Sequence, residues 1–394
     1  MNKFIVFTIC SLTIVACEKT MPFAPEENEL LDGPIDGLSV QQQLQFLKGD
    51  EAFGDVFTIE KGLGPVFVAN QCASCHAGDG KGSPFVKFTR FGQPDTLGNQ
   101  FLNFGGPQLQ HKAIPGYQPE QLPSNATSTD LIAPAVSGLG FLDAVSDADL
   151  ISLSDPNDAN GDGISGRPHW NNIPNYVQLR PNTVYQNGRY ITRFGKKGGA
   201  YDLLHQTSGA YNQDMGITSL FEPIDPFSGL EVDPEVSTQT VHDVVFYLKT
   251  LKAPLRRNQD DSDVIVGEQI FSQIACAKCH VPTLQTSYSP IEALSNKVFH
   301  PYTDLLLHDM GAGLNDGYTE GFALTSEWKT PALWGLGLSK NAQGGTYFLL
   351  HDGRARSIEE AIFLHGGEAQ QSKTMYTQLS ETEKQQLIKF LESL

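Results

Sequence analysis

The sequence predicts a mainly α protein with two duplicated domains, long loops and minor β-hairpins. The pattern Cys-x-x-Cys-His occurs twice, as CASCH at 72–76 and as CAKCH at 276–280, and Phe67 and Phe271 each stand five residues before its first cysteine. A second landmark follows each copy, first as APAVSGLGF and then as TPALWGLGL. Landmarks repeated in the same order indicate an internal duplication. The 38 glycines and 23 prolines predict short helices joined by long loops.

Local patterns place several of these elements. Apolar residues recur at helical spacing in 243–252 and in 264–275, which predicts two helices. The pattern Ser-x-x-Glu occurs at 357–360 and at 380–383, and it is typical of the capping box that opens a helix. The segment TVYQNGRYITRF at 183–194 contains an Asn-Gly pair between strand-forming residues and predicts a β-hairpin.

Composition narrows the classes of partner. The chain has 394 residues, 40% of them hydrophobic, so it can bury a substantial core. Its formal net charge is −18. This charge argues against nucleic acid as a partner, because binding nucleic acid needs Lys and Arg to release counterions. It favours a well-solvated protein or one that attracts a basic protein partner.

The N-terminus predicts export. Residues 1–16 combine Lys3 with an apolar run that is too short to span a bilayer, which is typical of a signal peptide. The letters IVAC at 14–17 resemble a bacterial lipobox, so we expect a lipid on Cys17. Residue 18 is Glu and not Asp. By analogy with Gram-negative lipoprotein sorting, the lack of Asp at this position predicts that the protein is held at the periplasmic side of the outer membrane. The alternative is an ordinary cleaved signal and a soluble periplasmic protein.

The remaining chain is expected to divide in two. Residues 17–45 begin acidic and Pro-rich, and we predict a flexible tether there. A polar linker at 256–263 separates an N-terminal domain at 46–255, which carries a large insertion, from a C-terminal domain at 256–394. The lipid would be the only membrane anchor, and the sequence is compatible with a monomer or a dimer.

The cysteines carry the strongest chemical signal. A Cys-x-x-Cys pair followed at once by His is the pattern for covalent haem attachment, in which two thioethers hold the ring and the histidine binds iron. The alternatives are one zinc ion held by both pairs or a redox dithiol. We predict two cytochrome c-like domains with one haem c each, bound at Cys72, Cys75 and His76 and at Cys276, Cys279 and His280.

The function of each haem depends on the ligand opposite its histidine, because a closed iron transfers electrons and an open iron can bind peroxide. At the C-terminal haem the candidates are His365, at the end of a predicted helix, and Met310. At the N-terminal haem the candidates are Met215 and His111. An open N-terminal iron is the third possibility.

Other side chains suit supporting roles. Arg354 and Arg356 could pair with haem propionates. Glu120 is a candidate acid–base group for peroxide cleavage at an open N-terminal haem. Trp334 and Trp170 are candidates for assisting electron transfer between the haems.

An acidic loop suggests calcium. Asp158, Asn160 and Asp162 alternate and are followed by Gly163, which matches the first half of a calcium-binding loop. The glutamate expected at position 12 is absent, and His169 stands there. A turn without metal is the alternative.

After residue 45 the chain resembles the di-haem oxidoreductase family of peroxidase-like proteins, also called thiol oxidoreductases. The family is in turn similar to bacterial di-haem cytochrome c peroxidases and to the di-haem enzyme that matures tryptophan tryptophylquinone. The resemblance is carried by the motifs GLGPVFVANQCASCH, DPNDANGDGISGRP, DMGITS, CAKCHVPTL, PYTDLLLHDMGAGL, WKTPALWGLGL and FLLHDGRARSIEEAIFLHGGEA.

The resemblance has implications for the site. In those relatives the helix after HDG leads to the sixth ligand of the C-terminal haem, and His365 falls at that place, which implies a bis-histidine haem. The relatives also carry calcium between their domains. The insertion at 80–240 has no segment that matches their distal residues.

We therefore expect a peroxidase-type oxidoreductase. Electrons from a small redox protein or another donor would enter through the C-terminal haem. The N-terminal haem would reduce hydrogen peroxide or drive a peroxide-dependent oxidation. The alternative is a non-catalytic electron-transfer cytochrome with both irons closed, linked to iron acquisition.

Overall fold

A computed structural model describes residues 30–76, 81–92, 95–104 and 106–394. About 33% of the chain is helical and about 13% is strand, which confirms a mainly α architecture with minor β structure. The predicted signal peptide, Cys17 and the start of the tether lie outside the described residues. No helix within the described ranges has the length and apolar character needed to cross a membrane.

The elements are short and follow one another closely. The helices that the structure describes are α1 (Val40–Gly54), α2 (Cys72–Cys75), α3 (Leu139–Asp143), α4 (Asp147–Leu153), α5 (Leu203–Met215), α6 (Thr238–Thr250), α7 (Ser262–Gln273), α8 (Ser339–Ala342), α9 (Ile358–Leu364), α10 (Gln370–Thr377) and α11 (Glu381–Ser393). The strands are β1 (Val66–Phe67), β2 (Lys87–Phe91), β3 (Lys112–Ala113), β4 (Ser128–Ile132), β5 (His169–Asn171), β6 (Tyr185–Gln186), β7 (Arg189–Thr192), β8 (Leu284–Gln285), β9 (Val298–Phe299), β10 (Leu307–Asp309) and β11 (Glu327–Lys329). They form antiparallel sheets in the orders β1–β3, β2–β4, β5–β7–β6, β8–β9 and β10–β11.

Helices α1 and α6 cross in direct backbone contact at Gly49. A Cβ atom on Gly49 would lie 2.1 Å from the carbonyl oxygen of Asp243 and 2.6 Å from Cβ of Tyr247. The rings of Phe46 and Phe53 pack on Tyr247 with centroids 5.0 and 5.3 Å away. A side chain at Gly49 would therefore separate the two helices.

The same crossing recurs between α7 and α11. A Cβ atom on Gly267 would lie 2.1 Å from the carbonyl oxygen of Gln386 and 2.7 Å from Cβ of Phe390. The ring of Phe271, one helical turn after the glycine, packs on Phe390 at 5.3 Å. The two helix pairs are thus built on the same arrangement of glycine and aromatic residues.

The repeated Gly-Leu-Gly segments also occupy matching places. A Cβ atom on Gly140 would lie 1.9 Å from the carbonyl oxygen of Lys249, near the end of α6. A Cβ atom on Gly337 would lie 1.9 Å from the carbonyl oxygen of Glu392, near the end of α11. The sequence repeat therefore corresponds to a repeat of backbone contacts, which supports the predicted duplication.

The predicted helix caps and hairpin are largely present. Ser380 and the side chain of Glu383 form a complete capping box at the start of α11. Ser357 caps α9, but the Glu360 carboxylate accepts the N–H of Arg356, so that box is incomplete. Strands β6 and β7 form the hairpin around Asn187, whose φ of 50° is the left-handed conformation that such turns require.

The packed chain begins earlier than the tether prediction allows. That prediction extended to residue 45, yet Leu31 is buried, and Ile35 and Leu38 join Ile291 and Leu294 in one apolar cluster. Because residues 31–38 are not helical, their apolar side chains follow no period that the sequence could reveal.

Candidate functional site

Both Cys-x-x-Cys-His motifs open into one cavity of about 640 Å³. Its wall is mainly apolar and comes from both halves of the chain, so the two motifs face a shared space. The predicted haem-binding residues on this wall are Cys72, Cys75, His76, Cys276, Cys279, His280, His365, Met215 and Met310.

The first motif is one helical turn. Helix α2 spans Cys72–Cys75, and the N–H of His76 donates to the Cys72 carbonyl at 3.0 Å. The ring of Phe53 packs on the His76 ring at 5.9 Å. Burial lowers the pKa of His76 to about 4, against a smaller rise from the Pro134 carbonyl. The imidazole is therefore neutral near pH 7 and available as a metal ligand.

The second motif repeats this geometry. The N–H of His280 donates to the Cys276 carbonyl at 3.0 Å, and the Phe271 ring packs on the imidazole at 6.4 Å. Nδ1 of His280 lies 3.0 Å from the carbonyl oxygen of Tyr302. This contact assigns the proton to Nδ1 and leaves Nε2 with a lone pair to bind iron.

The counterpart of Phe271 is Phe53, not Phe67. Equal distance from the cysteines pairs Phe67 with Phe271 in sequence, but Phe67 lies in strand β1. An additional segment at 55–71 separates α1 from the first motif, whereas α7 leads almost directly into the second. A fixed offset from the cysteines therefore selects the wrong aromatic residue.

His365 lines the same cavity as His280 and acts on it electrostatically. Burial, and then the positive charge that His365 carries when protonated, lowers the pKa of His280 to about 4. His365 caps the C-terminus of α9, and its Nδ1 lies 2.7 Å from the carbonyl oxygen of Ala361. Nδ1 therefore donates, and Nε2 keeps a free lone pair. Two histidines on one cavity wall, each with Nε2 free, could hold one iron between them.

Two glycines fix the loop that follows His365. A Cβ atom on Gly367 would lie 2.1 Å from the carbonyl oxygen of Asp309 and 2.6 Å from the nitrogen of Gly311. A Cβ atom on Gly366 would lie 3.1 Å from the carbonyl oxygen of Met310. The backbones of the HGG and DMG segments are thus in direct contact.

A buried ionic network sits behind this loop. Nε2 of His308 lies 2.8 Å from Asp304, and Nδ1 lies 2.6 Å from Glu368. Burial opposes protonation of His308, but these hydrogen bonds outweigh it and raise its pKa far above the ordinary value. Glu368 also accepts from Ser165 and from the N–H of Asp309. The carboxylate therefore ties three segments together, three residues after His365.

The two candidate methionines differ in surroundings. Met310 is half-buried and packs with Leu131, Leu314 and Trp328. Met215 ends α5, is almost fully buried and belongs to the largest apolar cluster. Both line the cavity.

The wall on the first motif's side is polar. Asp214 is enclosed, and burial raises its pKa, against hydrogen bonding from Gln108 and the charge of Arg90. Burial, and then the charge of Asp214, raises the pKa of Cys72 and of Cys75. No sequence motif contains Gln108 or Arg90, whereas Asp214 immediately precedes Met215 in the motif DMGITS.

His205 also lines the cavity in this region. Its Nδ1 accepts the N–H of Tyr201 at 3.2 Å, and burial lowers its pKa to about 4. The proton of the neutral ring is therefore on Nε2, which makes His205 a hydrogen-bond donor and not a metal ligand in this arrangement.

Glu120 and His111 lie off the cavity wall in the described structure. The carboxylate of Glu120 accepts the N–H of Gln110 at 2.6 Å, and burial raises its pKa to about 7. Gln108, two residues before Gln110, does reach the wall. His111 is exposed and immediately precedes strand β3.

A family model described as di-haem oxidoreductase, putative peroxidase, matches residues 127–394. The chain belongs to the di-haem oxidoreductase family. The matched region contains the second motif and His365, and the first motif precedes it. No curated protein matches the chain.

One solved structure shows a weak likeness. It is hydrazine synthase from Kuenenia stuttgartiensis, at 14% identity and a TM-score of 0.37 over all of both chains. At this TM-score the likeness supports no conclusion about fold or function.

The residues of this di-haem oxidoreductase fit two haems better than the alternatives. The four cysteines of the motifs are free, and burial raises the pKa of Cys72 to about 12, which is opposite to what a reactive dithiol needs. The only group of three metal-ligating side chains among the described residues is Cys279, Asp304 and His308. It joins no second cysteine, so the two pairs do not share a zinc site.

The predicted propionate partners face away from the cavity. Arg354 is exposed and pairs with Asp352 at 2.7 Å. Arg356 is exposed and lies 3.8 Å from the centre of the Phe348 ring. The turn at HDGR directs both arginine side chains away from the cavity, although both residues follow HDG closely in sequence. The cations on the wall come from other segments.

The tryptophans divide between wall and sheet. Trp334 lines the cavity and is buried. Trp170 lies in strand β5 and packs against the apolar cluster to which Trp334 belongs, but it does not line the cavity. Trp334 is therefore the better placed of the two for electron transfer between the motifs.

The acidic loop satisfies its oxygens internally. Asp158 accepts the N–H of Gly163, and Asn160 accepts the N–H of Asp162. Asp162 also pairs with Lys278, inside the second motif, at 2.8 Å. Asp158 and Asp162 belong to no group of three converging His, Cys, Asp or Glu side chains among the described residues.

Proposed function

We propose that this family member is an exported di-haem c-type cytochrome with peroxidase-type activity. One haem would be attached through Cys72 and Cys75 and the other through Cys276 and Cys279. His76 and His280 would be the proximal ligands. The repeated helix crossings support two cytochrome c-like domains, with the boundary at residues 255–256.

The asymmetry between the two histidines carries this proposal. His280 shares its cavity wall with His365, whose Nε2 is free and which acts on the pKa of His280, whereas the charged side chain that acts on the pKa of His76 is Lys196. The C-terminal haem would therefore be closed by His365, with Met310 as the alternative ligand. The N-terminal haem would keep a face to which peroxide can bind.

The chain's own residues suit peroxide cleavage at that face. Reduction of hydrogen peroxide to two water molecules takes up two electrons and two protons, and haem iron supplies the redox chemistry when it is bound. A raised pKa lets Asp214 hold a proton beside the first motif. Gln108 orients its carboxyl group through a hydrogen bond. Glu120, with a pKa of about 7, could exchange protons behind the cavity wall.

A pure electron-transfer role is the second candidate. Met215 lies on the cavity wall at the end of α5, as His365 lies at the end of α9. If the Met215 sulfur binds the N-terminal iron, both haems are closed. The protein would then carry electrons without reducing peroxide.

Spin state and turnover distinguish the two candidates. The purified holoprotein, oxidised and after one-electron reduction, should give a high-spin electron paramagnetic resonance signal from one haem, together with peroxide-dependent oxidation of a reduced donor. Asp214→Asn should lower turnover at least tenfold, whereas Asp130→Asn, an exposed carboxylate on β4, should not. Two low-spin haems in both redox states, with no turnover, would support the electron carrier.

The remaining features of the proposal concern location and supply. Electrons would come from a small redox protein or another donor. The chain would be held at the periplasmic side of the outer membrane by a lipid on Cys17, and Cys17→Ala should release it into the soluble fraction. Calcium at Asp158, Asn160 and Asp162 is a further proposal, for which the loop sequence is the support.

A further inference from the structure

Four lysines line the cavity: Lys373, which donates to the Phe363 carbonyl at 3.3 Å, and three others. Lys81, Lys196 and Lys329 come from three different segments, and all of them line the space that the two motifs share. The N–H of Lys329 donates to the carbonyl of Lys196 at 3.3 Å, which joins two of these segments. Nζ of Lys81 donates to the carbonyl of Trp334 at 3.3 Å.

A backbone hydrogen bond joins Lys196 and Lys329, and none of the three lysines forms an ion pair with a carboxylate among the described residues. Burial, and then the charges of Lys329 and Lys81, lowers the pKa of Lys196 to about 7. Burial lowers the pKa of Lys81 and of Lys329 to about 8. Asp352 acts on Lys196, and Asp304 acts on Lys329, but neither forms an ion pair with it in the described structure.

The lysines share this wall with both iron-binding histidines. Lys81, Lys196 and Lys329 line the same cavity as His76 and His280. Burial, and to a smaller extent the charge of Lys196, lowers the pKa of His76, and Asp304 acts on both His280 and Lys329. The lysine cluster and the two histidines therefore face one enclosed space.

A cluster of cations in a mainly apolar space is costly unless an anion joins it. Each haem has two carboxylate groups, the propionates, on one edge of the ring. We propose that Lys81, Lys196 and Lys329 bind the propionates of the two haems, so that these edges meet at the lysine cluster. This inference rests on haem attachment in the proposed function and is independent of peroxidase activity.

The cluster would also adjust the haem potentials. A ferric haem carries one more positive charge than a ferrous haem, so a fixed cation beside it disfavours the ferric form. One charge at about 10 Å, with an effective dielectric constant of about 20, shifts the equilibrium between the two forms roughly tenfold. The lysines would therefore raise the reduction potentials of both haems above those of haems whose propionates are exposed to water.

The test is a redox titration of the holoprotein. Lys196→Met and Lys329→Met should each move the reduction equilibrium of at least one haem toward the ferric form by about tenfold, or about 59 mV for one electron. Lys196→Arg and Lys329→Arg keep the positive charge, so their haem potentials should stay close to those of the wild type. Lys297→Met is the matched control, because Lys297 is exposed on the β8–β9 hairpin, and it should leave both potentials unchanged.

The outcomes separate this inference from the proposed function. A haem assay that finds fewer than two covalent haems in the wild type would reject the haem assignment itself. Two haems with unchanged potentials in both methionine variants would overturn the lysine assignment alone. If a methionine variant does not fold, Lys196→Gln gives the same test with a hydrogen-bonding side chain. Free acetate or phosphate should not shift the wild-type potentials, and a shift would show that the lysines bind solvent anions instead.

Discussion

Glu368 should be essential for holding the sixth ligand of the C-terminal haem in place. Its carboxylate lies 2.6 Å from Nδ1 of His308, 3.0 Å from the nitrogen of Ser165, 2.7 Å from the Ser165 hydroxyl and 3.1 Å from the nitrogen of Asp309. Glu368→Ala removes all of these hydrogen bonds at once. It leaves the buried His308 cation with a single carboxylate partner.

The magnitude follows from the burial of the pair. Removing one partner of a buried ion pair costs about 3–5 kcal/mol of folding free energy. His308 is 3% exposed and Glu368 is 9% exposed, so solvent screening is weak. Glu368→Gln keeps an acceptor for Ser165 and loses only the charge, and it should cost less.

The effect should depend on pH with a definite sign. The raised pKa of His308 gives a contribution that is complete below its unfolded pKa of about 6.5 and declines as the pH rises toward the folded value. Burial raises the pKa of Glu368, but the hydrogen bonds from His308 and Ser165 and the charge of His308 together lower it. The contribution of Glu368 therefore declines as the pH falls below about 4.5. The loss in Glu368→Ala should therefore be largest between about pH 4.5 and 6.5.

Urea unfolding followed by circular dichroism measures this loss, and electron paramagnetic resonance measures the haem. Glu368→Ala should lower stability by about 3–5 kcal/mol and convert part of the C-terminal haem to high spin. Glu51→Ala, an exposed glutamate in α1, should change neither. If the free energy of unfolding of Glu368→Ala lies within about 0.5 kcal/mol of the wild-type value and its spectrum is unchanged, Glu368 does not hold the sixth ligand in place.

Three further predictions use other parts of the molecule. Gly49→Ala should lower the free energy of unfolding in urea by about 1–3 kcal/mol, because the added Cβ meets the α6 backbone. Gly54→Ala in the same helix meets nothing within 4 Å and should be neutral, so equal losses in the two variants would contradict the helix crossing. Arg354→Met should leave both haem potentials unchanged in a redox titration, because Arg354 faces solvent, and a tenfold shift would show otherwise. Removing calcium with a chelator should lower the melting temperature of the wild type and not that of Asp158→Ala; no change in the wild type would count against calcium in the loop.

Local signals in the sequence were reliable where one short segment decides the structure. The Asn187–Gly188 turn and the Ser380 cap depend on side chains within four residues, and both are present in the structure. The helices predicted at 243–252 and 264–275 also form, because a regular apolar period reports a buried face. The mainly α class followed from these signals together.

Contacts between distant segments were not readable in this way. Lys196 and Lys81 reach one cavity from segments more than a hundred residues apart, and neither stands in a recognisable motif. Glu368 lies within a quoted motif, but its partners are in other loops. Proximity in sequence also suggested Arg354 as a propionate partner, and the turn at HDGR directs it outward.

We propose that His365 closes the C-terminal haem, whereas the N-terminal haem stays open. Electron paramagnetic resonance of oxidised His365→Ala beside the wild type, with spins counted per covalent haem, measures this directly. His365→Ala should gain one high-spin haem per chain, while His111→Ala should match the wild type. A C-terminal haem that stays low-spin in His365→Ala would rule out His365 and assign the sixth ligand to Met310.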